Sequence, residues 1–455
     1  MSASRRRRQL LPILGVTLTS LVGITPSLTA QTAPSVSLRD AVRSGLDHHP
    51  AVSVARAGHS GAEALLGEVG AARFPKLAVD ASMIRFQEPM VVAPFHRFDL
   101  MSPPLFDRNL VQSNLSLGYT LFDGGARGAR IRRAEAGAEA AWEGVRDAEM
   151  EVVSSVTLSY LSVLTSREVL DASDRQVAAL ESERDRVLLM LEEGRAARVD
   201  LLRVQAALSR AEAGRVSARA RLDVAVRELR RLTGLGAGDL QSGSPLPLRL
   251  GRARVPDRAE ALTRAQGGSP PLEAARRDVL AAEAGHSEAR ASRLPKLQMG
   301  ARYSDYGTIE GDFTGEWQAT FQLSYPVFTG GSRTNVIRRA EAEERRATEA
   351  LRLVELQMES GIDQAMAAVQ EADALKEALT AAVEQSDEVA RIEHLALEAG
   401  AGVQTDYLTA EADLFRARAA LTQARHGEIA AAVQLARAMG DLSVTWLEQN
   451  VEIVR

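Results

Sequence analysis

The chain has 455 residues, of which 45% are hydrophobic, 25% are charged and 4% are aromatic, and it contains no cysteine. The lack of cysteine excludes disulfides, a thiolate metal site and an acylated cysteine anchor. The formal net charge is −5, and removing the four arginines of a predicted N-terminal signal makes it −9, which argues against nucleic acid as a partner.

Residues 1–30 are predicted to be a secretory signal peptide. Arg5 to Arg8 form a basic n-region, residues 10–22 form an apolar h-region, and a cleavage site precedes Gln31. Leu28 is larger than the residue usual at its place, so the exact cleavage site stays open; the alternative is a basic cytosolic tail. After the h-region no apolar run is long enough for a transmembrane helix, so a membrane crossing would have to use β-strands.

The mature chain begins with a helical pattern over residues 38–73 that is interrupted at Pro50. Proline then marks where long helices are possible, because it breaks helix interiors. None lies between Pro104 and Pro245, and none follows Pro326. We therefore expect long helices in these two proline-free parts of the chain.

Four strands are predicted from alternating apolar and polar residues. Their ranges are about 75–88, 109–122, 295–306 and 316–328. Strands of about ten residues with aromatics on one face are typical of outer-membrane barrels. The alternative is two hairpins of a soluble sheet. Four strands cannot close a barrel, and open edges in lipid would leave backbone groups unsatisfied, so the strands would have to be pooled with those of identical copies.

Each strand pair is followed by a helical hairpin, at about residues 126–234 and 332–440. The second copy repeats the first without gain or loss, because Gly330 lies 206 positions after Gly124 and Gly400 lies 206 after Gly194. The first strand pair is fourteen residues longer, since Pro295 follows Pro75 by 220 positions. The pattern predicts an internal duplication.

The duplication divides the chain into two structural repeats. Residues 31–262 form the first repeat, which ends in a linker rich in Gly, Ser and Pro at 235–262. Residues 263–455 form the second repeat, which ends in a short tail.

The returning helix of each hairpin carries apolar residues at three-four spacing, which predicts a coiled-coil seam. The first seam is broken at Arg215 and the second at Glu428. The seam positions are Leu201, Val204, Leu208, Ala211, Ala218, Leu222, Ala225, Leu229 and Leu232, then Tyr407, Ala410, Leu414, Ala417, Leu421, Ala424, Ala431, Leu435 and Ala438.

Paired motifs give the chain a specific resemblance. They are the junctions Phe122-Asp-Gly-Gly and Phe328-Thr-Gly-Gly, the strand starts Pro75-Lys-Leu and Pro295-Lys-Leu, and the turns Gly194-x5-Asp200-Leu-Leu and Gly400-x5-Asp406-Tyr-Leu. In this ordered set the chain resembles the TolC family of outer-membrane efflux proteins over nearly its whole mature length.

The resemblance implies a mainly α fold with transmembrane β-strands. In a homotrimer, four strands per subunit would form a twelve-stranded β-barrel, and the long hairpins would continue it as an α-helical barrel across the periplasm. It also implies an outer-membrane tunnel of a tripartite efflux or type I secretion system, docked by a periplasmic adaptor protein that connects it to an inner-membrane pump. The exported substrate stays open between drug, metal ion and protein.

The resemblance also assigns candidate site residues. The periplasmic gate is expected at Asp406, Thr409 and Asp200; Thr409 stands where many relatives have a second acid, which weakens the case for a strongly cation-selective ring. The adaptor-docking turns are expected at Gly194, Arg198, Leu202, Gly400, Val403 and Leu408. The strand–helix junctions are Gly124, Gly125, Gly330 and Gly331.

Simpler roles are possible for several of these side chains. Asp200 and Asp406 could each cap the returning helix. Arg195, Arg198 and Arg203 could be gate salt-bridge partners or solvated surface.

The sequence favours no enzyme and no cofactor. The seven histidines form no HExxH or comparable metal spacing, Gly124 begins no phosphate loop, and no nucleophile motif is present. The main alternative function is a periplasmic coiled-coil adaptor or scaffold, which predicts one hairpin and no lipid-facing strands. A soluble spectrin-like array is a second alternative, and it would lack the export signal and the clustered aromatics.

Overall fold

The computed structural model of the protein describes residues 36–92, 101, 105–235, 246–251, 255–311 and 313–453. The predicted signal peptide and its cleavage site lie outside the described residues. Within the described ranges, no helix is both long and apolar enough to cross a membrane.

Two helices of 67 residues each dominate the structure, and each spans about 100 Å. The helices are α1 Leu38–His48, α2 Pro50–Gly70, α3 Ala126–Glu192, α4 Arg198–Thr233, α5 Arg258–Gly268, α6 Pro270–Ala291, α7 Ser332–Glu398, α8 Gln404–Ala438 and α9 Val444–Asn450. The strands are β1 Lys76–Val91, β2 Phe106–Phe122, β3 Leu248–Leu250, β4 Lys296–Gly307, β5 Thr314–Ser324 and β6 Val451–Ile453.

The long helices follow the sequence prediction closely, whereas the strand ends differ. The first two strands extend further towards each other than predicted, at 76–91 and 106–122. The fourth strand ends at Ser324 rather than at residue 328. Pro326 gives a physical reason, because proline has no N–H to donate to a ladder.

The four long strands form one antiparallel sheet in the order β1-β2-β4-β5. The two hairpins repeat the same register. In the first, Lys76 lies opposite Gly118. In the second, Lys296 lies opposite Ser324. Strands β2 and β4 pair across the two repeats, so β1 and β5 are the edges of the sheet.

The long helices are covered along their length by shorter ones. Helices α2 and α4 both pack on α3, and α6 and α8 both pack on α7. Helix α3 also contacts α6 and α8, which joins the two repeats side by side. The helices before the strands and the returning helices therefore lie along the long ones.

A compact core surrounds the middle of α3. Tyr160 is fully buried there, and its hydroxyl donates to Val36 O at 2.9 Å and accepts from Leu246 N at 2.8 Å. Strand β3 pairs with β6 next to this core, and Leu248 of β3 is buried in it.

The segment predicted as a linker, 235–262, and the short tail both contain secondary structure among their described residues. Residues 248–250 are in β3, 258–262 begin α5, and the tail forms α9 and β6. These three-residue strands are too short to show alternation, and each is stabilised by a partner about 200 positions away in the chain.

Candidate functional site

The two turns that join the long helices to the returning ones have the same geometry. Gly194 and Gly400 have φ values of 71° and 72°, in the left-handed region that favours glycine. Arg195 N donates to Met190 O at 2.7 Å, and Ala401 N donates to Ala396 O at 2.9 Å. These are Schellman ends, which satisfy the last helix carbonyls, so both glycines are required by the turns themselves.

Asp200 and Asp406 do not cap the returning helices, so the capping interpretation is wrong. The residues at the cap positions are Ala197 and Val403, whose side chains carry no acceptor. Both aspartates instead lie in the first helical turn, where a negative charge is favoured by the helix dipole. The Asp200 carboxylate contacts Arg203 at 3.1 Å.

The predicted gate residues on α8 are at the surface of the single chain. Asp406 and Thr409 are exposed. The Thr409 hydroxyl donates to Thr405 O at 2.8 Å within its own helix. Of these two residues, only Asp406 carries a carboxylate that could face a pore. Its place at the gate remains a prediction.

The docking residues predicted at the turns differ in exposure. Leu202 and Val403 are 55% and 54% exposed, which is unusual for apolar side chains at a helix end. Arg198 is also exposed. Leu408, in contrast, is partly buried against the cluster formed by α3 and α4, so it serves packing between the repeats.

A buried polar contact next to the turns connects the two repeats, and no motif in the sequence predicts it. Gln404, which is 6% exposed, donates to the Glu183 carboxylate at 2.8 Å. Arg186 donates to the same carboxylate at 2.6 and 2.8 Å. The hydrogen bond to Glu183 raises the pKa of the Arg186 guanidinium, which favours its charged form. Burial raises the pKa of the neighbouring Tyr407 phenol to about 12.

This contact belongs to a second seam on α8 that faces α3. Its members repeat at three-four spacing but are mixed in polarity, so they do not stand out as a hydrophobic heptad. They include Gln404, Leu408, Glu411, Phe415, Ala419, Thr422 and His426. Further along, Gln434 donates to Ser154 Oγ at 3.3 Å.

A groove lies between α4 and α8 with α3 as its floor, immediately beyond the turns. Its volume is about 790 Å³, and its lining combines small side chains with Arg210, Arg221, Tyr407 and Phe415. Such a concave surface, with small residues mainly along its α4 wall, can accept a helix.

The strand–helix junctions are also built in duplicate. Gly124, Gly125, Gly330 and Gly331 all have positive φ, as the predicted Gly-Gly junctions require. The Arg127 guanidinium lies 5.6 Å from the centre of the Tyr119 ring, and 206 positions later Arg333 lies 5.4 Å from the Tyr325 ring. Each pair ties the first turn of a long helix to the end of the preceding strand.

The edge strands expose a band of large apolar side chains. On β1, Val79 is 74% exposed, and on β5, Trp317 is 76% exposed. The other members of the band are Leu77, Met83, Phe321 and Leu323. In water this surface would be unfavourable, so it requires an apolar environment.

Comparison with known proteins gives the same architecture. The family model for "outer membrane efflux protein" matches residues 41–235 and 261–441. Protein CyaE of Bordetella pertussis is 26% identical over 420 residues, which cover 86% of this chain and 84% of the relative. Outer membrane efflux protein BepC of Brucella suis is 24% identical over 347 residues, 74% of each chain. The crystal structure of the outer membrane protein VceC from Vibrio cholerae superposes with a TM-score of 0.75 at 19% identity, covering 89% of this chain and 96% of that one, which supports the fold.

Proposed function

The chain belongs to the outer membrane efflux protein family, and from that membership we propose that it forms the exit duct of a tripartite efflux or type I secretion system. In this proposal three copies assemble. Their sheets form a β-barrel in the outer membrane, and their helices form a tunnel in the periplasm.

The observation that carries the proposal is that the same sheet has both an exposed apolar band and two open edges. The band on β1 and β5 fits the acyl chains of lipid. The open edges could not remain unpaired there, because lipid offers no hydrogen-bond partner to the backbone. Three four-stranded sheets joined edge to edge satisfy both requirements at once, with twelve strands.

The helical end supports the partners in the proposal. A periplasmic adaptor would contact the exposed tip residues Leu202 and Val403 and the groove between α4 and α8, and would connect the tunnel to an inner-membrane pump. A periplasmic adaptor or scaffold is the competing function. It predicts a single helical hairpin, whereas this chain has two, whose long helices match residue for residue.

The test is a conductance measurement on purified mature protein. We expect a detergent-dependent trimer, dissociated by heating in SDS, that gives discrete channel openings in a planar lipid bilayer. A monomer that stays in solution without detergent and gives no conductance would refute the proposal.

A further inference from the structure

The duplicated sheet contains a template for the contact between subunits. The hairpin β1–β2 maps onto β4–β5 when 220 is added to positions in β1 and 206 to positions in β2. Met83 lies opposite Val111. The mapped residues, Tyr303 and Trp317, also lie opposite each other. The two hairpins are therefore equivalent in register, pair by pair.

The structure also shows how one hairpin joins the next, because β2 pairs with β4. In that contact Leu115 lies opposite Tyr303 and Ser116 lies opposite Arg302. The corresponding contact at the other end of the sheet would join β5 to the β1 strand of a second copy. Adding 206 to each β2 position and subtracting 220 from each β4 position converts the β2–β4 pairs into the pairs of that contact.

We propose, on the basis of the proposed trimer, that β5 of one subunit pairs with β1 of the next in the register of β2 with β4. This places Phe321 opposite Met83, Gln322 opposite Ser82 and Leu323 opposite Ala81. The partner is thus a second copy of this chain, bound head to tail, so that the same contact repeated three times closes a ring.

The chemistry of the two faces agrees with this register independently. Opposite residues in an antiparallel pair share a face, and a slip by one residue would move every side chain of one strand to the other face. In the proposed register the exposed apolar residues Phe321 and Met83, 69% and 61% exposed, come together. A slip by one would set Phe321 against Ser82.

The strand–helix junction gives a second, separate indication. A Cβ placed on Gly124 would lie 2.8 Å from Leu294 Cβ. The lack of a side chain at Gly124 therefore lets Leu294, which lies just before β4, approach closely. The equivalents of Gly124 and Leu294 are Gly330 and Phe74. Phe74 is 69% exposed, and no described atom lies within 4 Å of a Cβ built at Gly330, apart from its own chain neighbours. Phe74 of the next subunit would fill this position as Leu294 fills the first.

The test uses the natural lack of cysteine in the chain. The double variant Gln322→Cys with Ser82→Cys should form disulfide-linked dimers and trimers on mild oxidation of the purified trimer, because directly opposite Cα atoms lie about 4.5–5.5 Å apart, within disulfide reach. Within one subunit, β1 and β5 are separated by two strands, about 14 Å in all, which excludes an internal bridge.

Matched controls make the register decidable. Gln322→Cys with Asp80→Cys, and Gln322→Cys with Ile84→Cys, keep the face but shift the register by two, to a diagonal distance of about 7–8 Å, and should lose the crosslink. Leu323→Cys with Ala81→Cys is a second directly opposite pair, on the other face of the sheet, and it keeps the test valid if the first pair does not fold. Ser116→Cys with Arg302→Cys, opposite within one chain, should give an internal bridge only.

The possible outcomes separate this inference from the proposed function. Crosslinking by the directly opposite pairs alone supports the register. A trimer that conducts but crosslinks through a shifted pair, or through none, overturns the register and leaves the channel intact. A chain that is monomeric in detergent before oxidation overturns both.

Discussion

Lys376 of α7 lies 2.6 Å from Glu428 of α8, at the one position where the coiled-coil seam of the second repeat lacks an apolar residue. The corresponding break in the first repeat, Arg215, lies 4.0 Å from Asp174 of α3. Both interruptions of the apolar pattern are therefore occupied by an ion pair between the two helices of the hairpin. Glu428 corresponds to Leu222 of the first repeat, seven residues after Arg215, so the two pairs lie one heptad apart. This difference helps to keep each returning helix in register with its own partner.

The Lys376–Glu428 pair gives the first prediction. Glu428→Ala should lower the free energy of unfolding by about 1 kcal/mol, because the pair is partly screened and Lys376 also contacts Asp373. Lys376→Met with Glu428→Leu should be neutral or stabilising, since leucine occupies the equivalent position, Leu222, in the first repeat. Urea unfolding followed by circular dichroism measures both. A double variant as unstable as Glu428→Ala would contradict this.

The same pair should not make stability depend on pH near neutrality. The hydrogen bond that the Lys376 ammonium donates to Glu428 raises the pKa of Lys376. A lysine whose pKa is raised on folding contributes stability that is complete below its unfolded value of about 10.4 and is lost only as the pH rises through the higher folded value. We expect Lys376→Met to change stability equally at pH 6 and pH 8.

His426 should make stability pH-dependent in the opposite sense. It is 7% exposed, its Nδ1 lies 2.7 Å from the Thr165 hydroxyl of α3, and Glu168 of α3 lies 3.7 Å from its Nε2. Burial lowers the pKa of its imidazole; the Glu168 carboxylate opposes this shift and Arg425 adds to it.

The contribution of His426 to the free energy of unfolding should be complete above its unfolded pKa of about 6.5 and should fall as the pH drops below that value. Comparing thermal midpoints at pH 5 and pH 8 for the natural chain and His426→Gln measures it; an equal pH effect in both would exclude His426 as the cause.

Gln404 should hold the tips of the two repeats together. Gln404→Leu removes a donor from the buried Glu183 carboxylate and should cost about 1–3 kcal/mol of stability, with faster amide exchange in the first turns of α8. Gln434→Leu is the matched control, because Gln434 lies on the same side of α8 but makes a longer bond of 3.3 Å to Ser154. Equal local exchange in both variants would contradict a role specific to the tip.

Asp406 should determine block of the channel by polyvalent cations. In a threefold ring its carboxylates would attract such ions, so Asp406→Asn should raise the blocking concentration by on the order of tenfold, equivalent to about 1.4 kcal/mol. Thr409→Asp, which adds a second acid one turn on, should lower it. Asp200→Asn tests the third predicted gate residue and should change the block less, because the Asp200 carboxylate is paired with Arg203. Bilayer conductance measures all three, and unchanged block in Asp406→Asn would remove this residue from the pore.

The parts of the fold that the sequence predicts well are those with long, uninterrupted periodicity. Helix α3 spans residues 126–192, as its proline-free pattern predicts, and the duplicated glycines fix the turns at residues 194 and 400. The capping role of Asp200 and Asp406 failed because a cap position depends on where the turn ends, and here the caps lie three residues earlier, at Ala197 and Val403. The pairing of β3 with β6 depends on residues far apart in the chain, which no local pattern indicates.

The candidate site is predictable in its positions and less so in its contacts. The Gly-Gly junctions and the turns are marked by composition. The Glu183–Gln404 contact is not, because a seam of mixed polarity looks like ordinary surface until the neighbouring helix is in place. Leu408 shows the same effect, since it packs between the repeats although it resembles an exposed tip residue.

The equal length of α3 and α7, 67 residues each, has a consequence for engineering the reach of the duct. One extra residue in either helix would rotate the part of the helix beyond it by about 100° and displace it by about 1.5 Å. A single insertion would therefore misalign that helix with the helices packed against it. Whole heptads added to both long helices and to both returning helices would preserve the phase of every seam and lengthen the duct by about 10 Å per heptad. The length of the duct could thereby be matched in discrete steps to the distance between the two membranes of a host cell.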